Sequence, residues 1–289
     1  MRLLALLAVL LAGCAVPPEG LVASTAAYQE HRVLVPVEGG RIVTRLCLPA
    51  AGATDALVLI NHGTPARAEL RASVTPAACS SEAVRWFLAR GHAVGLPLRR
   101  GYGETGGVYM EGNVCGRSDY VRSGRESARD IAAALSWLLA RPDVPRRPAI
   151  VIGQSTGGLA TVAFAATNPA NVAALVNMAG GRGGWYQNTP HLNCEPDLVV
   201  EAMGQFGRTA RLPMLWIYTE NDTFFGPALA GRMHAAFTEA GGEARLERLG
   251  SWGRDGHNLF FGNNGSLTWG PLVADFLAGV RGGGGKAAR

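Results

Sequence analysis

The chain has 289 residues, 48% of them hydrophobic and 17% charged, a balance that supports one large core and excludes an intrinsically disordered protein. Its net charge of +5 comes almost wholly from arginine, Lys286 being the only lysine. The arginines are scattered, with no basic stripe and no interleaved aromatics, so no nucleic-acid partner is expected.

The amino terminus reads as an export signal. Met1-Arg2 precedes a run of Leu, Ala and Val over residues 3–11, a signal-peptide core too short to span a bilayer as a mature helix. Leu11-Ala12-Gly13-Cys14 then resembles a bacterial lipobox. Signal peptide 1–13 would be removed and Cys14 would carry lipid, tethering the protein to a membrane. Ala15 after Cys14 suggests the outer membrane of a Gram-negative cell, facing the periplasm. The alternative is an ordinary secretory signal cut at a nearby small residue. Residues 14–30, with Pro17-Pro18-Glu19-Gly20 near their head, are expected to be a tether. One domain is expected over 31–280, followed by a disordered tail, 281–289, containing Gly282-Gly283-Gly284-Gly285.

Within the domain, apolar runs predict strands at 31–37 and 41–48, an antiparallel edge, and at 56–61. A helix over 81–90, a strand at 93–98 and a helix over 127–140 follow. Strands at 149–152, 172–178 and 214–218 come next, then a helix over 227–240, a strand at 243–249 and a last helix. This alternation predicts an α/β fold, a mainly parallel twisted sheet with helices on both faces. The segment between residues 178 and 214 is too short for a large cap domain, so loops should cover the pocket. Tyr102, Trp185, Tyr186, Phe224 and Phe225 are candidates to line it as substrate-binding residues, ordinary packing being the alternative for each. Arg99, Arg100 and Arg182 are candidates to meet an acidic substrate or to tie down loops.

Gly153-Gln154-Ser155-Thr156-Gly157 follows the apolar run Ala149-Ile150-Val151-Ile152. A strand turning sharply into a helix at a serine is a nucleophile elbow: the corner lifts the hydroxyl above the sheet, and glycines let backbone crowd close. Ser155 is the candidate nucleophile. It needs a base and an acid to orient that base. His257, in the turn-rich Gly253-Arg254-Asp255-Gly256-His257-Asn258, is the preferred base over His234, which falls mid-helix, and His191. Asp222, past the end of the strand at 214–218, is preferred to Glu220 as the acid, and Asp255 is expected to support the turn. The amide of Thr156 and an amide from Gly63 or Thr64, with Thr64 preferred, would form the oxyanion hole. His62 is expected to organise that loop.

Asn61-His62-Gly63, Arg99-Arg100-Gly101-Tyr102-Gly103-Glu104-Thr105-Gly106-Gly107, the elbow, and the stretch from Tyr218 to Asp222 with Asp255-Gly256-His257 together resemble the dienelactone-hydrolase-like branch of the α/β-hydrolases. That branch is broadly similar to prolyl-oligopeptidase catalytic domains, and the resemblance runs over about residues 30 to 280. It implies an esterase-type serine hydrolase acting on a small ester, with a Ser155, Asp222, His257 triad and no cofactor. Dienelactone hydrolases use a cysteine nucleophile where this chain has Ser155. A serine peptidase or amidase and a non-catalytic envelope-binding lipoprotein are the other classes.

Apart from Cys14, the cysteines are Cys47, Cys79, Cys115 and Cys194, an even set that an oxidising compartment would pair. Cys115 and Cys194 follow strands whose carboxyl ends share one sheet edge, which pairs them and leaves Cys47 with Cys79. No C-x-x-C and no His/Cys cluster at ligand spacing is present, so no metal is expected.

Overall fold

The computed structural model describes residues 19–283. The signal peptide, Cys14 and the last residues of the tail lie outside the described residues. Among the described residues, nine strands form one sheet in the order β1-β2-β3-β5-β4-β6-β7-β8-β9. These are β1 (Gly20–Ser24), β2 (Tyr28–Val37), β3 (Gly40–Pro49), β4 (Leu57–Asn61), β5 (Ala93–Pro97), β6 (Ala149–Gln154), β7 (Val172–Met178), β8 (Met214–Thr219) and β9 (Ala244–Leu249). Pairing is antiparallel from β1 through β3 to β5 and parallel from β5 to β9.

The helices are α1 (Glu82–Leu88), α2 (Tyr120–Leu139), α3 (Thr156–Ala165), α4 (Pro196–Gly207), α5 (Pro227–Glu239) and α6 (Gly265–Gly283). Strand side chains alternate between two cores because successive residues face opposite sides of a sheet. Leu57, Leu59, Val151 and Trp216 join the core under α2 to α5, whereas Val58, Ile60, Ile152 and Ile217 join the core under α1 and α6. With both faces covered, the central strands are apolar at nearly every position, as buried parallel strands must be.

The topology places the site. The chain leaves β4 for β5 on one side, while β6 pairs on the other side of β4 and leads away to β7. Connections diverge there and open a crevice at the carboxyl ends of β4 and β6. The loop at 61–65 and Ser155 occupy that crevice.

Three boundaries differ from expectation. Residues 20–30 are not a tether throughout: β1 pairs antiparallel with β2, and Thr25 Oγ1 accepts the Tyr28 amide in the turn between them. Small residues made the stretch look like a linker, yet an open sheet edge needs only backbone to pair with. The tail does not begin at 281, since α6 continues to Gly283. Finally, α2 begins seven residues before the predicted helix, because Asp119 caps it by accepting the Arg122 amide.

Candidate active site

Ser155 sits between β6 and α3 with φ of 59° and ψ of −123°, a strained backbone for a residue with a Cβ. Hydrogen bonds fix it on both sides: its amide donates to the Met178 carbonyl at 3.0 Å, and its carbonyl accepts from the Gly158 and Gly181 amides. The glycines are steric necessities. A Cβ on Gly153 would lie 1.9 Å from the Gly157 carbonyl oxygen, and one on Gly157 would lie 2.3 Å from the Asn61 oxygen.

Asp222 follows β8 and is fully buried. Its Oδ1 accepts the amides of Phe224 and Phe225 at 2.7 and 2.8 Å, which keeps the carboxylate paired without a cation. His257 Nδ1 lies 3.1 Å from Oδ1 and 3.0 Å from Oδ2 of Asp222, so the proton on Nδ1 is shared with the carboxylate and Nε2 is left as the acceptor. The Phe224 ring stacks on the imidazole at 4.1 Å, and Gln154 Nε2 donates to the His257 carbonyl at 3.0 Å. Asp255 supports the turn, accepting the His257 amide at 3.0 Å and both the amide and the hydroxyl of Thr223.

The competing candidates are placed elsewhere. Glu220 and His191 are exposed. His234 Nε2 meets the Ala244 carbonyl at 3.0 Å, and its ring packs edge-on against Trp216. His62 holds its loop: Nδ1 lies 2.7 Å from the Gly63 carbonyl, and Nε2 accepts the Arg99 amide at 3.2 Å. Burial, with the Arg99 guanidinium beside it, pushes the His62 imidazole down to about 3, so it is neutral at physiological pH.

Thr64 and Thr156 face each other across the crevice, their hydroxyls 2.7 Å apart. The Thr156 amide opens α3 and therefore has no intrahelical acceptor. Behind these threonines lies a buried polar cluster. The Tyr102 hydroxyl meets Thr64 Oγ1 and donates to Glu111 Oε2 at 3.1 Å. Glu111 accepts from Arg99 Nε at 2.7 Å and from Arg182 at 3.0 Å. Arg99 also donates to the His62 carbonyl at 2.8 Å, and Arg182 reaches the Tyr109 hydroxyl. Burial alone would raise the Glu111 carboxyl, but Arg99 and Arg182 hold it down at about 2.

Tyr102 is the correction among the predicted pocket residues. It is fully buried behind the oxyanion loop, its ring edge-on to His62 at 4.7 Å, and Tyr109 stands at the pocket wall instead. Trp185 and Phe224 do line the cleft, stacked on each other at 4.8 Å, with Trp185 Nε1 donating to Thr223 Oγ1. Arg100 is paired with Asp130 at 2.7 Å. Glu111, Tyr109 and Arg71 were not anticipated: the first two stand in a loop and Arg71 in a short 3-10 turn, Ala68–Ser73, with no periodic pattern around any of them. Disulfides join Cys47 to Cys79 and Cys115 to Cys194, the pairing expected. Among the described residues the one group at metal-ligand spacing is Cys115, Cys194 and Glu195, and its two sulfurs are bonded to each other.

Two clefts open on either side of Ser155. The first, about 330 Å³, is walled by Thr156, Arg71, Tyr109, Arg182, Trp185 and the Cys115–Cys194 bridge, among others. The second, about 490 Å³, is walled by His62, Val74, Ala77, Gln154, His257 and Phe261, among others. Ser155, Thr64 and Phe224 belong to both. A hydroxyl at a strained corner, a carboxylate-held imidazole and two amide-bearing loops are the parts acyl transfer requires.

Solved structures with the same architecture are numerous. The chain superposes on a Pyrococcus furiosus esterase with a TM-score of 0.62 and 16% identity, covering 91% of this chain and 98% of that one. The fold is that of the α/β-hydrolases. An acetyl xylan esterase of a Thermoanaerobacterium species gives 0.59 and 14%, covering 91% of this chain and 87% of that one. An acylaminoacyl peptidase of Pyrococcus horikoshii gives 0.61 and 13% over 87% of this chain, which spans only 41% of that longer protein. In sequence, residues 52–195 match the family described as serine aminopeptidase, S33. No curated protein matches this chain in sequence.

Proposed function

We propose that the protein is a serine hydrolase that cleaves carboxylic esters through an acyl-enzyme on Ser155. The observation that carries the reading is that His257, hydrogen-bonded from behind by the buried Asp222, lines one cleft together with a serine held at positive φ. Ser155 Oγ would add to the carbonyl carbon, passing its proton to His257 Nε2 as Asp222 steadies the imidazolium. The Thr64 and Thr156 amides would take the oxyanion. His257 would then protonate the departing alcohol, and a water activated by the same imidazole would release the acid. No cofactor enters this scheme. The dienelactone-hydrolase-like resemblance supports the ester reading, as does the likeness to esterases in fold.

A peptidase or amidase activity is the second reading, favoured by the match of residues 52–195 to the serine aminopeptidase family. One experiment separates them. Native protein and Ser155→Ala are labelled with an organophosphonate and then assayed on short-chain p-nitrophenyl esters and on a panel of peptide p-nitroanilides. The expected result is labelling and ester turnover that are both lost in the variant, turnover falling at least about 10³-fold. Faster turnover of the anilides would transfer the protein to the second reading. Folded native protein that takes no label would end the catalytic one.

The proposal includes export and lipidation at Cys14, supported by the lipobox-like Leu11-Ala12-Gly13-Cys14 and by the presence of two disulfides. Incorporation of labelled palmitate in a Gram-negative host, abolished by Cys14→Ser, is the expected outcome. An unlabelled native chain would leave an ordinary secretory signal.

A further inference from the structure

The two clefts beside Ser155 differ in charge, and the difference bears on which half of a substrate is charged. The first is lined by Arg71 and Arg182 and by no aspartate or glutamate. Arg182 is buried, and the cluster in which it sits holds two guanidiniums, those of Arg99 and Arg182, against the single carboxylate of Glu111. The held-down Glu111 carboxyl leaves that cluster with a net positive charge at neutral pH. Arg71 stands with its guanidinium 4.0 Å from the centre of the Tyr109 ring, and Arg182 lies against the same tyrosine. Glu195, beside the wall residue Cys194, is turned away to the Gly116 and Ser118 amides. Asn113, Ser118 and the Tyr109 hydroxyl add neutral polar groups to the wall. The second cleft has no Arg, Lys, Asp or Glu in its lining, and its His62 is held neutral.

Chemistry orients a substrate between them. The imidazole that protonates the departing oxygen must stand on the leaving-group side. His257 lines the second cleft and not the first, so the alcohol half belongs in the second. With the alcohol half in the second cleft, the first cleft, which shares Ser155 but lacks His257, is the one left for the acyl substituent. The geometry points to an enzyme selective for esters whose acyl half carries a carboxylate, that is, monoesters of dicarboxylic acids with a neutral alcohol. This rests on the ester-hydrolase reading above. Ser155 Oγ forms a bond to the ester carbonyl carbon and the alkoxide leaves with the proton relayed by His257. Water then cleaves the acyl-enzyme, returning the proton to Ser155 and releasing a dicarboxylate and a neutral alcohol. An anion in the first cleft meets Arg182 already fixed by Glu111 and Tyr109, with Arg71 over the Tyr109 ring beside it, so Arg182 needs little ordering on binding.

The test compares kcat/KM for monoethyl adipate with that for ethyl hexanoate, and for 5-acetoxypentanoate with that for pentyl acetate. The first pair varies charge on the acyl side and the second on the alcohol side. A tenfold or greater preference for monoethyl adipate is expected, shrinking at high salt, with no preference for 5-acetoxypentanoate. Arg71→Gln should lower the adipate preference at least fivefold while Arg71→Lys retains most of it. Arg182→Gln, checked for folding by its melting transition, should lower the preference as well. Equal kcat/KM across the first pair, a preference confined to the second pair, or a preference that neither substitution to Gln moves would overturn the inference. Turnover of neutral esters without that preference defeats only this inference. Absence of phosphonate labelling and of all ester turnover defeats the hydrolase reading as well.

Discussion

Two loops close on Ser155 from opposite sides, and they are held by opposite means. On the Asp222–His257 side no arginine takes part: backbone amides of Phe224 and Phe225 satisfy Asp222, Asp255 caps the turn, Gln154 grips the His257 carbonyl, and Phe224 stacks on the imidazole. On the Thr64–Thr156 side the restraints come from afar and are ionic. Arg99, Glu111 and Arg182 lie up to 83 residues apart in sequence and share one buried carboxylate. Local amides hold a charge while leaving the rest of the fold indifferent to it. A buried ion cluster ties the site to the stability of the whole chain.

The largest expected effect breaks the first side. Asp222→Asn keeps an oxygen for the Phe224 and Phe225 amides but removes the charge that steadies the imidazolium. Ester turnover should fall about 10⁴-fold with an almost unchanged melting temperature. A large loss of stability in that variant would mean that the two sides are not held differently. Next, Glu111→Gln leaves two buried guanidiniums without their carboxylate, and urea unfolding should show a loss of about 3–5 kcal/mol. A loss below about 1 kcal/mol would sink the idea that ionic contacts hold the oxyanion side. Tyr102→Phe sharpens the comparison, removing the hydroxyl between Thr64 and Glu111. It should cost about 1 kcal/mol of stability and lower kcat more than it raises KM.

A pH dependence probes the same side of the site. His62 has a folded pKa of about 3, below its value in the unfolded chain, so the unfolded state binds the extra proton first. Stability from His62 is complete above its unfolded pKa and declines as pH falls towards 3, at up to about 1.4 kcal/mol per pH unit. Glu111 acts in the same direction at lower pH: its contribution is present above the unfolded carboxyl value of 4.5 and is lost as pH falls towards about 2. Unfolding of His62→Gln followed across pH 7 to 4 should lack the first decline. Parallel curves for native protein and variant would remove His62 from the account.

The same contrast explains what was legible in the sequence. Ser155, Asp222 and His257 each end or follow an apolar strand or sit in a Gly-rich turn, so short-range pattern marks them. The sheet was legible for the same reason, because runs such as Leu57-Val58-Leu59-Ile60 admit few other fates. Glu111 stands in an irregular loop and Arg71 in a short 3-10 turn, and both acquire meaning only from long-range contacts, which no local pattern encodes. Tyr102 lay in a recognisable motif, but the direction of its side chain depended on the loop packed against it. Helix α4 was missed although Val199, Ala202, Met203 and Phe206 recur at helical spacing.

The serine corner leaves two of its five letters open. Gly153 and Gly157 are closed to any larger residue by backbone contacts, and Ser155 is fixed by its chemistry. Gln154 and Thr156 remain, and neither side chain is idle: one grips the carbonyl of His257, the other the hydroxyl of Thr64. Drift in this pentapeptide is therefore channelled into the two positions that align the base with the oxyanion loop. Descendants of this chain that keep the motif intact still carry, in those two letters, a record of how their two loops are tuned to each other.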